Sequence, residues 1–191
     1  MDMSPDTPNV RYLPRFLVEA DAAFAELLRA TPWRQDRIRV MGREIAQPRL
    51  TAWYGEPGAT YRYSGLTLSP LPFTPLLARI KAAIEAVSGE RFNSALLNYY
   101  RDGADSVSWH RDAEPELGPD PVIASLSLGA TRRFDMRRSD DRARRISLEL
   151  EHGSLLLMGR GCQIHWQHQV AKTKAPVGAR INLTFRRISG G

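Results

Sequence analysis

The chain has 191 residues, with 27 lysines and arginines against 21 aspartates and glutamates and a formal net charge of +6. This length predicts one domain, residues 1–191, with a substantial core. The single cysteine, Cys162, excludes an internal disulfide and suits a reducing cytoplasm. The apolar runs are too short to span a bilayer and no secretory signal is recognisable, so we expect a cytoplasmic monomer without a membrane partner. A basic chain favours polyanionic partners.

The first thirty residues predict a frayed terminus followed by a helix. Residues 1–10 are polar and contain prolines, so we expect them to be disordered. Residues 14–30 carry apolar side chains at helical spacing and an alanine-rich filling. Thr31-Pro32 should end this helix, because a residue before proline avoids the helical region.

Residues 33–70 predict a hairpin and a lid. Residues 37–54 alternate as strands do, and Met41-Gly42 is a plausible turn between two strands. Residues 54–63 are rich in glycine, proline and tyrosine. Their tyrosines either cover a site as part of the lid or serve as ordinary strand residues.

The remaining chain predicts one more helix and then a mainly β core over residues 92–188. Thr74 suits an N-cap, Pro75 the first helical position and Gly89 the end of the helix. Some eight short strands with turn punctuation predict a double-stranded β-helix, or jelly roll, with the N-terminal helices packed on one sheet. We expect the strands at residues 92–100, 107–112, 122–128, 132–137, 145–150, 154–158, 164–170 and 180–187.

A metal site is predicted from three polar residues. In an extended segment His110 and Asp112 point to the same side. One imidazole and one carboxylate on one side, completed by a second histidine from a distant strand, give a facial triad typical of non-haem Fe(II) oxygenases. His165 and His168 compete for the third position, and on a strand they would face opposite ways.

The C-terminal strand alternates strictly between apolar and polar residues. Ile181, Leu183 and Phe185 form its apolar side. Its polar side is either the wet face of an antiparallel strand or the wall of a cavity that grips a small dianion. The polar residues are Arg180, Asn182, Thr184 and Arg186.

These motifs resemble the AlkB family of Fe(II)/2-oxoglutarate dioxygenases, in particular the animal homologues 2 and 3. The resemblance runs from about residue 39 to residue 188. It rests on several ordered stretches: PRLTAWYGE (48–56), YSGLTLSP (63–70), FNSALLNYYRDG (92–103), HRDAEPELG (110–118), IASLSLGATRRF (123–134), HGSLLLM (152–158), HWQH (165–168) and RINLTFR (180–186).

The resemblance implies a cofactor, co-substrates and residues that hold them. His110, Asp112 and His168 would bind Fe(II), and His165 would be a neighbour. The remaining residues would bind 2-oxoglutarate: Asn98 and Tyr100 by hydrogen bonds, Arg180 at the far carboxylate, and Asn182 and Arg186 at the end nearer the metal. Dioxygen would take the remaining metal position.

The resemblance also implies oxidative demethylation of nucleic-acid bases such as 1-methyladenine and 3-methylcytosine, with release of formaldehyde, succinate and carbon dioxide. Glu114 would read the cationic base, Tyr61 and Tyr63 would stack on it, and Met41 would enter the duplex stack. Arginines at residues 34–49, Arg49 among them, and at residues 132–145 would contact phosphates, although a solvated face explains either cluster alone.

Three alternatives stay open on the sequence. The partner is DNA, single- or double-stranded, with RNA as a second choice. The same scaffold could act on methylated RNA or a protein side chain. A non-catalytic nucleic-acid-binding relative could also keep the fold, although it would have no need for the intact triad and both arginines.

Overall fold

The computed structural model describes residues 7–40, 42–59, 61–63 and 66–189, and within these it leaves undescribed the side chains of residues 38–40, 43, 61–63 and 66–68. The N-terminal half contains, in chain order, β1 (Val10–Leu13), α1 (Ala20–Ala30), β2 (Arg37–Val40), β3 (Arg43–Ala46), β4 (Leu50–Gly55), β5 (Tyr61–Tyr63), β6 (Leu66–Leu68), β7 (Leu71–Pro72) and α2 (Pro75–Ser88). The C-terminal half contains β8 (Ser94–Tyr100), β9 (Val107–His110), a 3-10 turn (Pro115–Leu117), β10 (Ile123–Gly129), β11 (Arg132–Arg138), β12 (Arg145–Leu150), β13 (Ser154–Met158), α3 (Cys162–His165), β14 (Trp166–Val170) and β15 (Arg180–Arg186).

Two sheets form the body of the protein. The larger has seven strands in the order β1-β13-β10-β15-β8-β4-β7, and the smaller has four in the order β12-β11-β14-β9. Except for β4 and β7, which run parallel, neighbouring strands in both sheets are antiparallel. This arrangement confirms the predicted jelly roll.

The core has two layers because β15 and its neighbours present both faces to other elements. On one face, Leu183 and Phe185 pack in a cluster with Leu77 and Ile84 of α2 and with Leu27 of α1. On the other face, side chains of β8, β10 and β13 share a second cluster with side chains of β11, β12 and β14. The helices therefore cover one side of the larger sheet, as predicted, and the smaller sheet covers the other.

Helix α2 has the predicted ends. The Thr74 hydroxyl accepts a hydrogen bond from the Leu77 backbone N–H at 3.2 Å, which satisfies one of the free donors of the first turn. Gly89 has a φ of 73° and its N–H donates to the Glu85 carbonyl, a conformation that glycine adopts without strain. Val87, which falls at the helical spacing of the buried apolar residues of α2, is nevertheless 40% exposed.

The predicted helix over residues 14–30 is wrong in its first six residues, since α1 begins at Ala20. Arg15 has a φ of 50°, which a right-handed helix excludes. The Leu17 N–H donates to the Gly153 carbonyl at 3.0 Å. Phe16 and Leu17 therefore pack against the core from a loop. Residue 10, expected to be frayed, starts β1, where Val10 pairs with Met158; residues 1–6 lie outside the described residues.

The hairpin predicted over residues 37–54 is shorter than expected. β2 and β3 pair from Arg37↔Ala46 to Val40↔Arg43, and Gly42 has a φ of 79° in the turn. β4 then leaves the hairpin and joins the larger sheet beside β8. β5 and β6 form a second small hairpin within the predicted lid.

The strands of the C-terminal half lie close to their predicted bounds, with one local error. Residues 162–165 form the short helix α3, where a strand over residues 164–170 was expected. His165 lies in this helix and is exposed. None of the described helices is long and apolar enough to cross a membrane.

Candidate metal and co-substrate site

Three predicted metal ligands meet at one end of the smaller sheet. His110 at the end of β9 is the cross-strand partner of His168 in β14. Asp112 follows β9 by two residues. One ligand atom from each of the three residues lies within 4.8 Å of the other two. Two imidazoles and one carboxylate at this spacing can hold a metal ion from one side.

Contacts within the site orient both imidazoles. The His110 Nδ1 lies 2.7 Å from the Ser108 carbonyl oxygen; because a carbonyl can only accept, Nδ1 carries a proton and Nε2 is the nitrogen left for a metal ion. Burial lowers the pKa of His168 to about 3, so this ring is neutral at pH 7. Phe134 stacks on His168 with ring centroids 5.3 Å apart and fixes its orientation.

Asp112 is held by two contacts that the sequence did not suggest. Its buried carboxylate receives two hydrogen bonds from Arg186, at 3.1 Å from Nε and 2.9 Å from Nη2. Its backbone N–H donates to the Gln163 Oε1 at 3.0 Å. Burial raises the pKa of Asp112, but the charge and hydrogen bonds of Arg186 together with the two neighbouring imidazoles outweigh it, and the net pKa lies below its ordinary value. The carboxylate is therefore ionised and oriented.

A cavity of about 360 Å³ opens beside the triad. Its wall combines the polar side of β15 with residues of β8 and β9. The wet-face interpretation of β15 is wrong, because Arg180, Asn182 and Thr184 are all at least 93% buried. The predicted residues on this wall are Arg49, Asn98, Tyr100, His110, Asp112, Glu114, His168, Arg180, Asn182 and Arg186.

Arg180 carries a buried charge with unused donors. It is 1% exposed, and burial lowers the pKa of its guanidinium, which nevertheless stays charged. Its Nη2 donates to the Ser127 hydroxyl at 2.9 Å, and its Cζ lies 5.1 Å from the centre of the Tyr100 ring. Nε and Nη1 have no hydrogen-bond partner among the described residues. A buried charge of this kind requires an anion, and a carboxylate of 2-oxoglutarate fits the requirement.

The other predicted co-substrate residues differ in how far they are engaged. Asn182 donates to the Ser125 hydroxyl at 2.7 Å and to the Leu126 carbonyl at 3.1 Å, and its oxygen accepts from Thr184 at 2.9 Å. Asn98 accepts from the Arg49 Nε at 2.7 Å. Asn182 is therefore fixed by its own sheet, whereas Asn98 is fixed by a residue predicted to contact the nucleic acid.

The predicted substrate residues are only partly described. Glu114 is exposed at the cavity rim, and Arg49 is half-buried in its wall. Tyr61 and Tyr63 lie in β5, but their side chains are not among those described. Met41 lies outside the described residues.

The arginine cluster at residues 132–145 divides into buried and surface members. Arg132 is 3% exposed and donates to the carbonyls of Asp102, Asp105 and Ala171, so it supports the fold and cannot contact a phosphate. Arg137 and Arg145 lie over the Trp109 ring at 4.2 Å and 5.9 Å from its centre. Only the second kind matches the prediction of a phosphate-facing surface.

The comparisons with known proteins agree with this geometry. The model of the 2OG-Fe(II) oxygenase superfamily matches residues 9–186. This chain belongs to the 2OG-Fe(II) oxygenase superfamily. Oxygenases of this superfamily use Fe(II), 2-oxoglutarate and dioxygen, and the His-Asp-His triad and the unused donors of Arg180 fit those groups.

Relatives of the oxygenase belong to the AlkB family. The chain is 46% identical over 181 residues to alpha-ketoglutarate-dependent dioxygenase alkB homolog 3 of Bos taurus, which covers 90% of this chain and 63% of that protein. It is 43% identical over 180 residues to DNA oxidative demethylase ALKBH2 of Homo sapiens, which covers 89% of this chain and 69% of that protein. The chain thus spans less than two thirds of the length of some curated relatives. A solved structure titled "The structure of OsALKBH1" shares the fold, with a TM-score of 0.63, 20% identity, and coverage of 95% of this chain and 99% of that one.

Proposed function

We propose that this oxygenase removes N-alkyl groups from nucleic-acid bases such as 1-methyladenine and 3-methylcytosine. The observation that carries the proposal is that one cavity joins a His-Asp-His triad to a buried arginine, Arg180, with two nitrogens that have no partner among the described residues. The relatives include a DNA oxidative demethylase, which supports a nucleic acid as the substrate.

Each wall residue has a role in holding the co-substrate. Arg180 binds the far carboxylate of 2-oxoglutarate, because its free donors and charge are enclosed by the wall. Asn98 and Tyr100 donate hydrogen bonds from the neighbouring strand. Asn182 and Arg186 border the end nearer the metal, where Arg186 also keeps the Asp112 carboxylate oriented.

The iron and 2-oxoglutarate supply the oxidising chemistry when bound. With both bound, one oxygen atom of dioxygen would go to succinate, formed with carbon dioxide from 2-oxoglutarate, and the other would convert the N-methyl group to N-hydroxymethyl. Loss of formaldehyde and a proton from the cationic base would then leave the neutral, unmodified base. The chain's own part is to hold these groups side by side in one cavity.

The substrate class follows from charge at the rim. Bases methylated on a Watson–Crick nitrogen are cationic and cannot pair, so they cost less to extrude. Glu114 stands exposed at the cavity rim, where a carboxylate favours a cation over a neutral base. Glu114→Gln should therefore reduce the ratio of the demethylation rate of 3-methylcytosine to that of a neutral methylated base. The concentration of 2-oxoglutarate needed for half-maximal turnover should not change. An unchanged preference would remove Glu114 from base recognition.

The direct test measures product and co-product together. Purified protein with Fe(II), ascorbate and 2-oxoglutarate is given single-stranded DNA that carries one 3-methylcytosine, and mass spectrometry counts repaired base and succinate. We expect the two to appear in equal amounts. Matched RNA and a methylated peptide test the rival substrates of the same scaffold. Binding of the oligonucleotide without any succinate would instead identify a non-catalytic nucleic-acid-binding relative.

The preferred strand form, the monomeric state and the cytoplasmic location stay predictions. The first is measured on matched single- and double-stranded DNA and RNA, and the second by light scattering of the purified chain.

A further inference from the structure

The Arg49 side chain connects the approach to the cavity with its polar wall. Its Nε donates to the Asn98 Oδ1 at 2.7 Å, and its Nη1 donates to the Ser106 carbonyl at 3.3 Å. The Ser106 backbone N–H in turn donates to the Pro48 carbonyl at 2.8 Å. Arg49 is thus anchored through its side chain and through the residue before it.

The bond to Asn98 decides which end of that carboxamide faces the cavity. A guanidinium N–H can only donate, so it selects the Asn98 oxygen and turns the amide nitrogen away. Asn98 is 6% exposed and lies beside Asn182 in the ladder between β8 and β15. Its nitrogen has no hydrogen bond to a described residue. The orientation therefore keeps a donor available on a wall where an anion must bind.

Without Arg49 the carboxamide could rotate by half a turn at little cost. The amide oxygen would then face the co-substrate, and two oxygen acceptors without a proton between them repel each other. A wall that binds a dianion needs its neutral amides held as donors.

We propose that Arg49 is a positioning residue for 2-oxoglutarate, acting through Asn98, in addition to any contact it makes with the nucleic acid. This inference rests on the proposed function, because it takes Asn98 to be a ligand of 2-oxoglutarate. It separates Arg49 from the two other arginines of residues 34–49 whose side chains are described. Arg34 and Arg37 are more than half exposed and pair with Asp36 and Glu44.

The experiment measures 2-oxoglutarate binding with no nucleic acid present. Protein loaded with Fe(II) under nitrogen is titrated with 2-oxoglutarate, and the visible charge-transfer absorption of the complex reports occupancy. Calorimetry on the Mn(II)-loaded protein gives the same constant without turnover. The variants are Arg49→Met, Asn98→Ala and the double variant, with Arg29→Met in the last turn of α1 as the control for a lost surface charge.

We expect Arg49→Met to weaken 2-oxoglutarate binding by about tenfold, the effect of one lost hydrogen bond, with iron affinity and melting temperature close to those of the wild type. Asn98→Ala should weaken it by at least as much. The double variant should bind no more weakly than Asn98→Ala, because Arg49 acts only through that amide. Arg29→Met should bind normally.

Three outcomes overturn the inference. Normal 2-oxoglutarate binding by Arg49→Met, with weaker oligonucleotide binding, would make Arg49 a substrate contact alone. Additive losses in the double variant would mean that Arg49 acts on the dianion directly, by its charge. If Asn98→Ala itself binds 2-oxoglutarate normally, the co-substrate assignment within the proposed function fails, and the inference fails with it.

Discussion

Replacement of Arg180 by lysine tests the anion site most directly. Arg180 has one neutral partner, the Ser127 hydroxyl, and two nitrogens without a partner among the described residues. A bound carboxylate would accept hydrogen bonds from a planar guanidinium, whereas lysine offers one nitrogen on a flexible stem. Loss of one charge-assisted hydrogen bond costs about 1.5–3 kcal/mol, which corresponds to a rise of roughly tenfold to a hundredfold in the dissociation constant of 2-oxoglutarate.

The assay for Arg180→Lys is the anaerobic titration of the Fe(II) protein with 2-oxoglutarate, followed by turnover on a panel of methylated oligonucleotides. The base preference should not change, since Arg180 faces the co-substrate. Arg132→Lys is a matched control, because Arg132 is also buried but donates to backbone carbonyls. This variant should lower the melting temperature and change the dissociation constant of 2-oxoglutarate much less than Arg180→Lys does. An unaltered 2-oxoglutarate dependence in Arg180→Lys would refute the reasoning and remove Arg180 from the site.

Three further predictions concern the metal, the approach to the base and the fold. Alanine at His110, Asp112 or His168 should abolish iron binding and turnover, while alanine at the exposed His165 should keep most of both; metal analysis showing the reverse for the two histidines of residues 165–168 would reassign the ligand. Met41→Ala should slow single-turnover repair of 3-methylcytosine in a duplex and have little effect in a single strand, and Met41→Phe should improve the duplex reaction; equal slowing on both substrates would exclude a wedge. Thr74→Ala should lower the free energy of unfolding by about 1 kcal/mol because the bond to the Leu77 N–H is lost, and urea denaturation would contradict this if the midpoint did not move.

Local sequence patterns predicted the secondary structure correctly where the hydrogen-bond partners are close together in the sequence. The hydrogen bond from the Leu77 N–H to Thr74 marks the beginning of α2, and the left-handed Gly89 marks its end. Both signals lie within three residues of the helix end that they set. The helix predicted over residues 14–30 was wrong in its first six residues because the partner that holds Leu17 in a loop, the Gly153 carbonyl, is distant in sequence. Helix α3 was missed for another reason: its four residues are too few to show a helical periodicity that would distinguish them from the following strand.

The site could be predicted only as far as residue types and order allow. The triad was identified, but the pairing of His110 with His168 across β9 and β14 is set by the fold. Alternation gave β15 a polar face, yet only the smaller sheet determines that this face is enclosed. Gln163 carries no motif, and its contact with the Asp112 N–H could not be inferred from its position. Within one arginine cluster, Arg132 is buried and Arg137 lies on Trp109, a difference that composition cannot express.

The position of β9 has a consequence for how the protein behaves when iron is scarce. β9 is the outer strand of the smaller sheet, and it pairs with β14 at His110↔His168 and Val107↔Val170 with a register shift between them. A metal ion bound by both histidines would fasten this edge strand to its neighbour more firmly than so short a ladder can. Iron starvation should therefore loosen β9 before the rest of the sheet opens, and amide hydrogen exchange should be faster there than in β10 or β13. The same cation would then take part in the reaction and stabilise the outer strand of the smaller sheet.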